Sequence, residues 1–132
     1  MAEEIVEGEG YAVGSLDAMG DGYGFRKVRQ RLGVTAFGVN AIVMPPHFTA
    51  DAHYHDQQEE LYICLDGQFS LEFGDGSKHV LEPGGMARVD PATVRRMGNP
   101  GASDCTYVCI GGRGGYVGRD GRRPGQETPP EG

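Results

Sequence analysis

Glycine and proline punctuate this chain so often that a long helix has nowhere to form. Its 132 residues include 23 Gly and 8 Pro, the two residue types least compatible with a helix interior. Between the breaks lie short runs rich in apolar and β-branched residues, which predict strands. These are Val34 to Met44, stopped by Pro45-Pro46; Glu60 to Leu65, ending at Asp66-Gly67; Gln68 to Phe73; and Lys78 to Leu81 beyond the hairpin signal Asp75-Gly76. Met86 to Val89, Val94 to Met97 and Cys105 to Ile110 follow. Short strands at regular spacing with turn residues between them predict an all-β sandwich or barrel. The segment Phe25 to Leu32, bracketed by Gly24 and Gly33, suits a short helix or an exposed strand equally.

The length argues for one domain that can bury a core without disulfides. The formal net charge of -7 argues against nucleic acid as a partner, since such proteins carry a basic face. No apolar run is long enough to span a membrane, and the acidic start lacks the form of a signal peptide. These features point to a cytoplasmic protein. The odd cysteine count (Cys64, Cys105, Cys109) argues against a disulfide scaffold. Cys105 and Cys109 share a strand face, as small core residues rather than a redox pair. Residues 1–10, with four glutamates, read as a loose acidic start, residues 11–111 as the barrel, and residues 112–132, rich in Gly and Pro, as a flexible tail.

The chemistry concentrates in His53-Tyr54-His55-Asp56-Gln57-Gln58-Glu59-Glu60-Leu61-Tyr62. Residues two apart on a strand point the same way, so His53 and His55 share a face. Glu60 opens the next strand, and alternation puts Tyr62 and Cys64 on its side while Glu59 points outward. If the two strands pair, two imidazoles and a carboxylate meet. Such a set, with open positions, suits one divalent transition metal: Fe, Mn, Ni, Cu or Zn. His47 is either a substitute ligand or an exposed loop residue. His79 reads as solvent-facing or packed. Neither a nucleophile elbow nor a phosphate-binding P-loop is present.

This stretch resembles the first motif of the cupins, G-x5-H-x-H-x3-4-E-x6-G. His53, His55, Glu60 and Gly67 occupy its positions, and His47 stands in the leading Gly slot. Farther on, Pro91 and Asn99 match the second motif, Thr93 takes its Gly position, and Arg95 stands where the family's third histidine ligand is usual. The resemblance runs from about Tyr11 to Gly111. It implies a double-stranded β-helix (jelly-roll) barrel, a metal at His53, His55 and Glu60, and a homodimer. It also implies oxygenase, isomerase or lyase chemistry on a small molecule.

Arginine keeps its charge and cannot ligate a metal, which leaves two readings of Arg95. Either the metal stays on three protein ligands and Arg95 swings aside to bind an anionic substrate group, or the metal is lost and Arg95 pairs with Glu60 in a metal-free ligand-binding barrel. Tyr62 and Tyr107, if inward, are candidate catalytic hydrogen-bond or proton donors, with core packing as the alternative.

Overall fold

The computed structural model describes residues 4–125. Among the described residues, twelve short strands carry the fold. They are β1 (Val6–Gly8), β2 (Tyr11–Val13), β3 (Gly24–Arg26), β4 (Gly38–Met44), β5 (Tyr54–His55), β6 (Glu59–Asp66), β7 (Phe69–Phe73), β8 (Lys78–Leu81), β9 (Met86–Val89), β10 (Arg95–Gly98), β11 (Cys105–Gly112) and β12 (Gly121–Arg122). The ambiguous segment resolves into both of its options. Its start pairs as β3, and Val28–Leu32 forms the five-residue helix α1. Gly33 ends α1 in the left-handed conformation, φ 76°, and donates to the Arg29 carbonyl.

Two sheets face each other. The larger has the order β3-β4-β11-β6-β9 and the smaller β10-β7-β8, with all pairs antiparallel. The hairpin at Asp75-Gly76 pairs β7 with β8. The turn at Asp66-Gly67 is instead a corner, because β6 and β7 belong to opposite sheets. Gly67 has φ 72°, and a β-carbon there would run into the Asp104 carbonyl. That corner folds the chain into two layers around one core. Met44, Tyr62, Cys64, Phe69, Leu71, Val89, Cys105 and Tyr107 fill it. Phe69 stacks on Tyr107 with centroids 4.2 Å apart. Cys105 and Cys109 both face inward from β11, and all three cysteines are free thiols.

Asn99 closes one end. Its side-chain amide is almost fully buried and donates to the carbonyls of Met44, Pro45 and Ser103, while its oxygen accepts from the Gly101 amide. One side chain thus satisfies the backbone of two loops.

Both chain ends differ from the expectation drawn from composition. Val6 pairs with Val13 and Glu7 with Ala12 around Gly10, φ 84°, so a hairpin stands where a loose acidic start was expected. Exposed glutamates do not oppose it, since every β1 residue faces water. The first part of the expected tail is paired rather than loose. Strand β12 pairs with β5, Gly121 opposite His55 and Arg122 opposite Tyr54. The part of that tail beyond residue 125 lies outside the described residues.

Candidate metal centre

Three strands and one returning loop bring the charged residues together. His53 pairs with Arg95 through two backbone hydrogen bonds of 2.9 Å. His55 donates its backbone N–H to the Pro91 carbonyl over 2.7 Å. These bonds fix the two histidines beside β10 and set their rings 5.0 Å apart, edge to face. Alternation along β6 turns Glu60, Tyr62 and Cys64 inward and leaves Glu59 exposed, near Arg88.

Glu60 Oε1 is the meeting point. It lies 3.2 Å from His55 Nε2, 4.0 Å from His53 Nε2 and 3.1 Å from an Arg95 terminal nitrogen, and it accepts the Tyr62 hydroxyl. The Cys109 thiol donates to Oε2 at 3.1 Å. The ligand atoms of His53, His55 and Glu60 all lie within 4.8 Å of one another, the one such group among the described residues. The His53 side chain keeps 20% of its surface exposed, against 11% for His55 and 8% for Glu60, so the cluster opens toward water on the His53 side.

Asp120 escaped sequence reasoning. It follows the strand region by a Gly-rich stretch with no periodicity, and no local signal ties it to the histidines. One of its oxygens accepts His55 Nδ1 at 2.7 Å and the Gln58 side-chain amide at 3.0 Å. The other accepts the backbone N–H groups of Gln57 and Gln58. Each ring nitrogen of His55 therefore faces a carboxylate. With Nδ1–H committed to Asp120, the Nε2 lone pair would repel Glu60 unless a cation, a proton or a metal, stands between them.

The electrostatics follow the same geometry. Burial, then the charge of Arg95, holds His53 down at about 4, so its ring is neutral at neutral pH. Burial also opposes the His55 imidazolium, but Glu60 and Asp120 outweigh it and raise its pKa above 6.5. Burial works against the Glu60 carboxylate too. His55, Tyr62 and Arg95 overcome that and hold it at about 2. Burial pushes the Tyr62 hydroxyl and Cys109 thiol well up, so both stay protonated donors to Glu60.

Strand alternation turns only one of the neighbours Arg95 and Arg96 toward the interior, and it is Arg95. It points inward and is entirely buried, while Arg96 is exposed. Its guanidinium bonds Glu60, the Tyr62 hydroxyl and the carbonyls of Pro91 and Thr93. It is thus a fixed cation that braces Glu60 from behind. The expectation that it swings aside to grip a ligand does not suit a side chain with no exposed surface and four partners. Tyr62 reaches the site through Glu60, whereas Tyr107 packs in the aromatic core. His47 is exposed in its loop, and His79 lies exposed beside Phe73. Of two surface hollows of about 310 and 260 Å³, the larger is lined in part by Glu60, and neither is lined by His53 or His55.

The donors suit a divalent transition metal: two imidazole nitrogens, one of them oriented by a carboxylate in the usual manner of metal-bound histidine, and an ionised carboxylate. Arg95 opposes this. Two unit charges 4 Å apart at an effective dielectric of 20 interact by about 4 kcal/mol, so neither Arg95 nor one carboxylate decides the balance alone. Glu60 and Asp120 together outnumber Arg95.

The Cupin_2 profile, described as a cupin domain, matches residues 40–111. No functionally curated protein matches the sequence. Among solved structures, a sugar phosphate isomerase of the cupin superfamily from Silicibacter pomeroyi is 26% identical, with TM-score 0.62 over 74% of this chain and 64% of its own. This chain thus spans under two-thirds of that protein's length. A cupin protein from Bacteroides fragilis is also 26% identical, with TM-score 0.62 over 74% of this chain and 80% of its own. A Cupin 2 conserved barrel domain protein from Salinispora arenicola is 20% identical, with TM-score 0.53 over 58% and 62%, and shares the fold. With its motif residues gathered at one point inside a two-layered β-barrel, this chain belongs to the cupin family.

Proposed function

We propose that this cupin holds one divalent transition metal (Fe, Mn, Ni, Cu or Zn) at His53, His55 and Glu60, and acts on or binds a small anionic molecule there. The observation that carries the reading is the gathering of the His53, His55 and Glu60 ligand atoms within 4.8 Å of one another, with Asp120 on Nδ1 of His55 leaving its Nε2 to face the same point. A metal there would supply Lewis acidity or oxygen activation. Two carboxylates and one guanidinium leave a single negative charge, so a dication makes the centre positive by one. A carboxylate or phosphate group entering past the partly exposed His53 balances that charge. The activity named for the Silicibacter pomeroyi neighbour involves such an anion. Tyr62, fixed as a donor to Glu60, holds that carboxylate in place rather than meeting the substrate.

The metal-free binding barrel is favoured by one observation, the fully buried Arg95–Glu60 pair. Calorimetric titration of metal-stripped protein with Zn²⁺ or Mn²⁺ separates the two readings. We expect Arg95→His to bind metal at least ~10-fold more tightly, because it removes a charge and adds a ligand, a gain of about 1.4 kcal/mol. Unchanged affinity would mean that Arg95 does not act on the site. Inorganic phosphate should bind the metal-loaded parent and not the stripped protein; equal binding to both favours the metal-free barrel.

We further infer a cytoplasmic homodimer. Three free thiols suit a reducing compartment. The edge strand β3 and the β1–β2 hairpin expose Phe25, Val6, Tyr11 and Val13 to a partner copy. A monomer mass by light scattering at micromolar concentration would contradict the dimer.

A further inference from the structure

We propose that residues 118–123 form a strap belonging to the metal site, with Asp120 as the positioning residue that fixes the His55 ring. This rests on the metal reading above but adds a segment beyond the matched family region, which ends at residue 111. Asp120 lies 65 residues from His55 in sequence, yet both its oxygens are spent around that histidine. It is 8% exposed in an otherwise open, Gly-rich stretch. Gly121 packs its backbone against the ring, where a β-carbon would stand 3.3 Å from Cε1. The strap's other fastenings surround the same strand: the two-residue β12–β5 ladder, Arg122 to Asp56 at 2.7 Å, and Arg123 to Asp51 at 3.3 Å.

Two consequences follow. With Nδ1–H held by Asp120, the neutral His55 ring keeps its proton on Nδ1 and presents the Nε2 lone pair to the site. A strap fastened to a ligand must also be coupled to what the ligand binds. Any factor by which strap docking tightens metal binding is the factor by which metal tightens strap docking. Metal should therefore slow trypsin cleavage at the strap arginines Arg119 and Arg122; Arg123 precedes Pro124 and resists the protease.

The test compares the parent with Asp120→Ala and Asp120→Asn. Nitrogen NMR of the metal-free proteins at alkaline pH reads the His55 tautomer without any metal. The Nδ1–H form should dominate in the parent, and Asp120→Ala should shift population to Nε2–H and speed cleavage at the strap. In Zn²⁺ titrations, Asp120→Ala should lose about 10- to 100-fold in affinity, with Asp120→Asn between it and the parent, and Zn²⁺ should protect the parent strap but not that of Asp120→Ala. A parent that binds Zn²⁺ with unchanged affinity, tautomer and cleavage in Asp120→Ala overturns the strap and leaves the metal reading intact. A parent that binds no Zn²⁺ overturns the metal reading, and the tautomer and metal-free cleavage rates still decide the strap: a shift supports it and no shift ends it.

Discussion

At the scale of single residues, His47 shows what the family's leading glycine is for. His47 sits at φ 60°, the one positive value among non-glycine residues described. A side chain in that conformation costs roughly 1–2 kcal/mol. Glycine at this site would relieve the strain and give back ~0.4–1 kcal/mol of that gain through a freer unfolded chain. His47→Gly should therefore raise stability modestly, by about 0.5 to 1 kcal/mol, read as a higher urea midpoint with unchanged slope. A lower midpoint would mean that the imidazole makes stabilising contacts outweighing the strain. The same lesson holds inside the site. Arg95 in place of a histidine does not leave the pocket empty but converts a ligand position into a buried brace on Glu60.

At the scale of elements, the corner at Gly67 separates the two sheets, and its conformation leaves no room for a side chain. Gly67→Ala combines a left-handed backbone with a collision against the Asp104 carbonyl, so it should cost more than about 2 kcal/mol. A loss under ~0.5 kcal/mol, the range of neutral surface changes, would show that the corner yields freely. The strands between Val34 and Ile110 were legible in the sequence, whereas β1, β2 and β12 were not. Lys78–Leu81 and Met86–Val89 appear as read, and β4, β6, β10 and β11 differ only at their ends. Alternation also identified Glu60 over Glu59. The connection of β6 to β7 was not legible, because a Gly turn looks alike whether it closes a hairpin or turns a corner between layers. Asp120 was not legible either: its partners are distant in sequence, and composition around it signalled only the absence of a core.

At the scale of the whole molecule, the site ties stability to pH. Folded His53 resists protonation down to about 4, while the unfolded chain takes the proton near 6.5. The unfolded state therefore binds more protons in that interval, and stability falls as pH drops from 6.5 toward 4. Glu60 and Asp120 are each held at about 2. Their contributions stand above about 4.5 and 3.8 and are lost as pH falls toward 2. His55, with its raised pKa, acts oppositely: its contribution is complete below 6.5 and is lost as pH climbs through the raised value. Melting temperature of the metal-free protein should thus decline steadily below pH 6.5, and His53→Ala should flatten the 6.5-to-4 portion alone. An unchanged slope in that variant would contradict the buried neutral state of His53.

The most direct test of the metal centre is elemental analysis of protein purified without affinity tag or chelator, beside a His53→Ala/His55→Ala double variant. Near-stoichiometric transition metal in the parent and none in the variant is the predicted result, and it names the metal. Metal-free protein in both, after reconstitution with each of the five candidates fails, would contradict the account and leave the Arg95–Glu60 pair as the centre of a metal-free barrel.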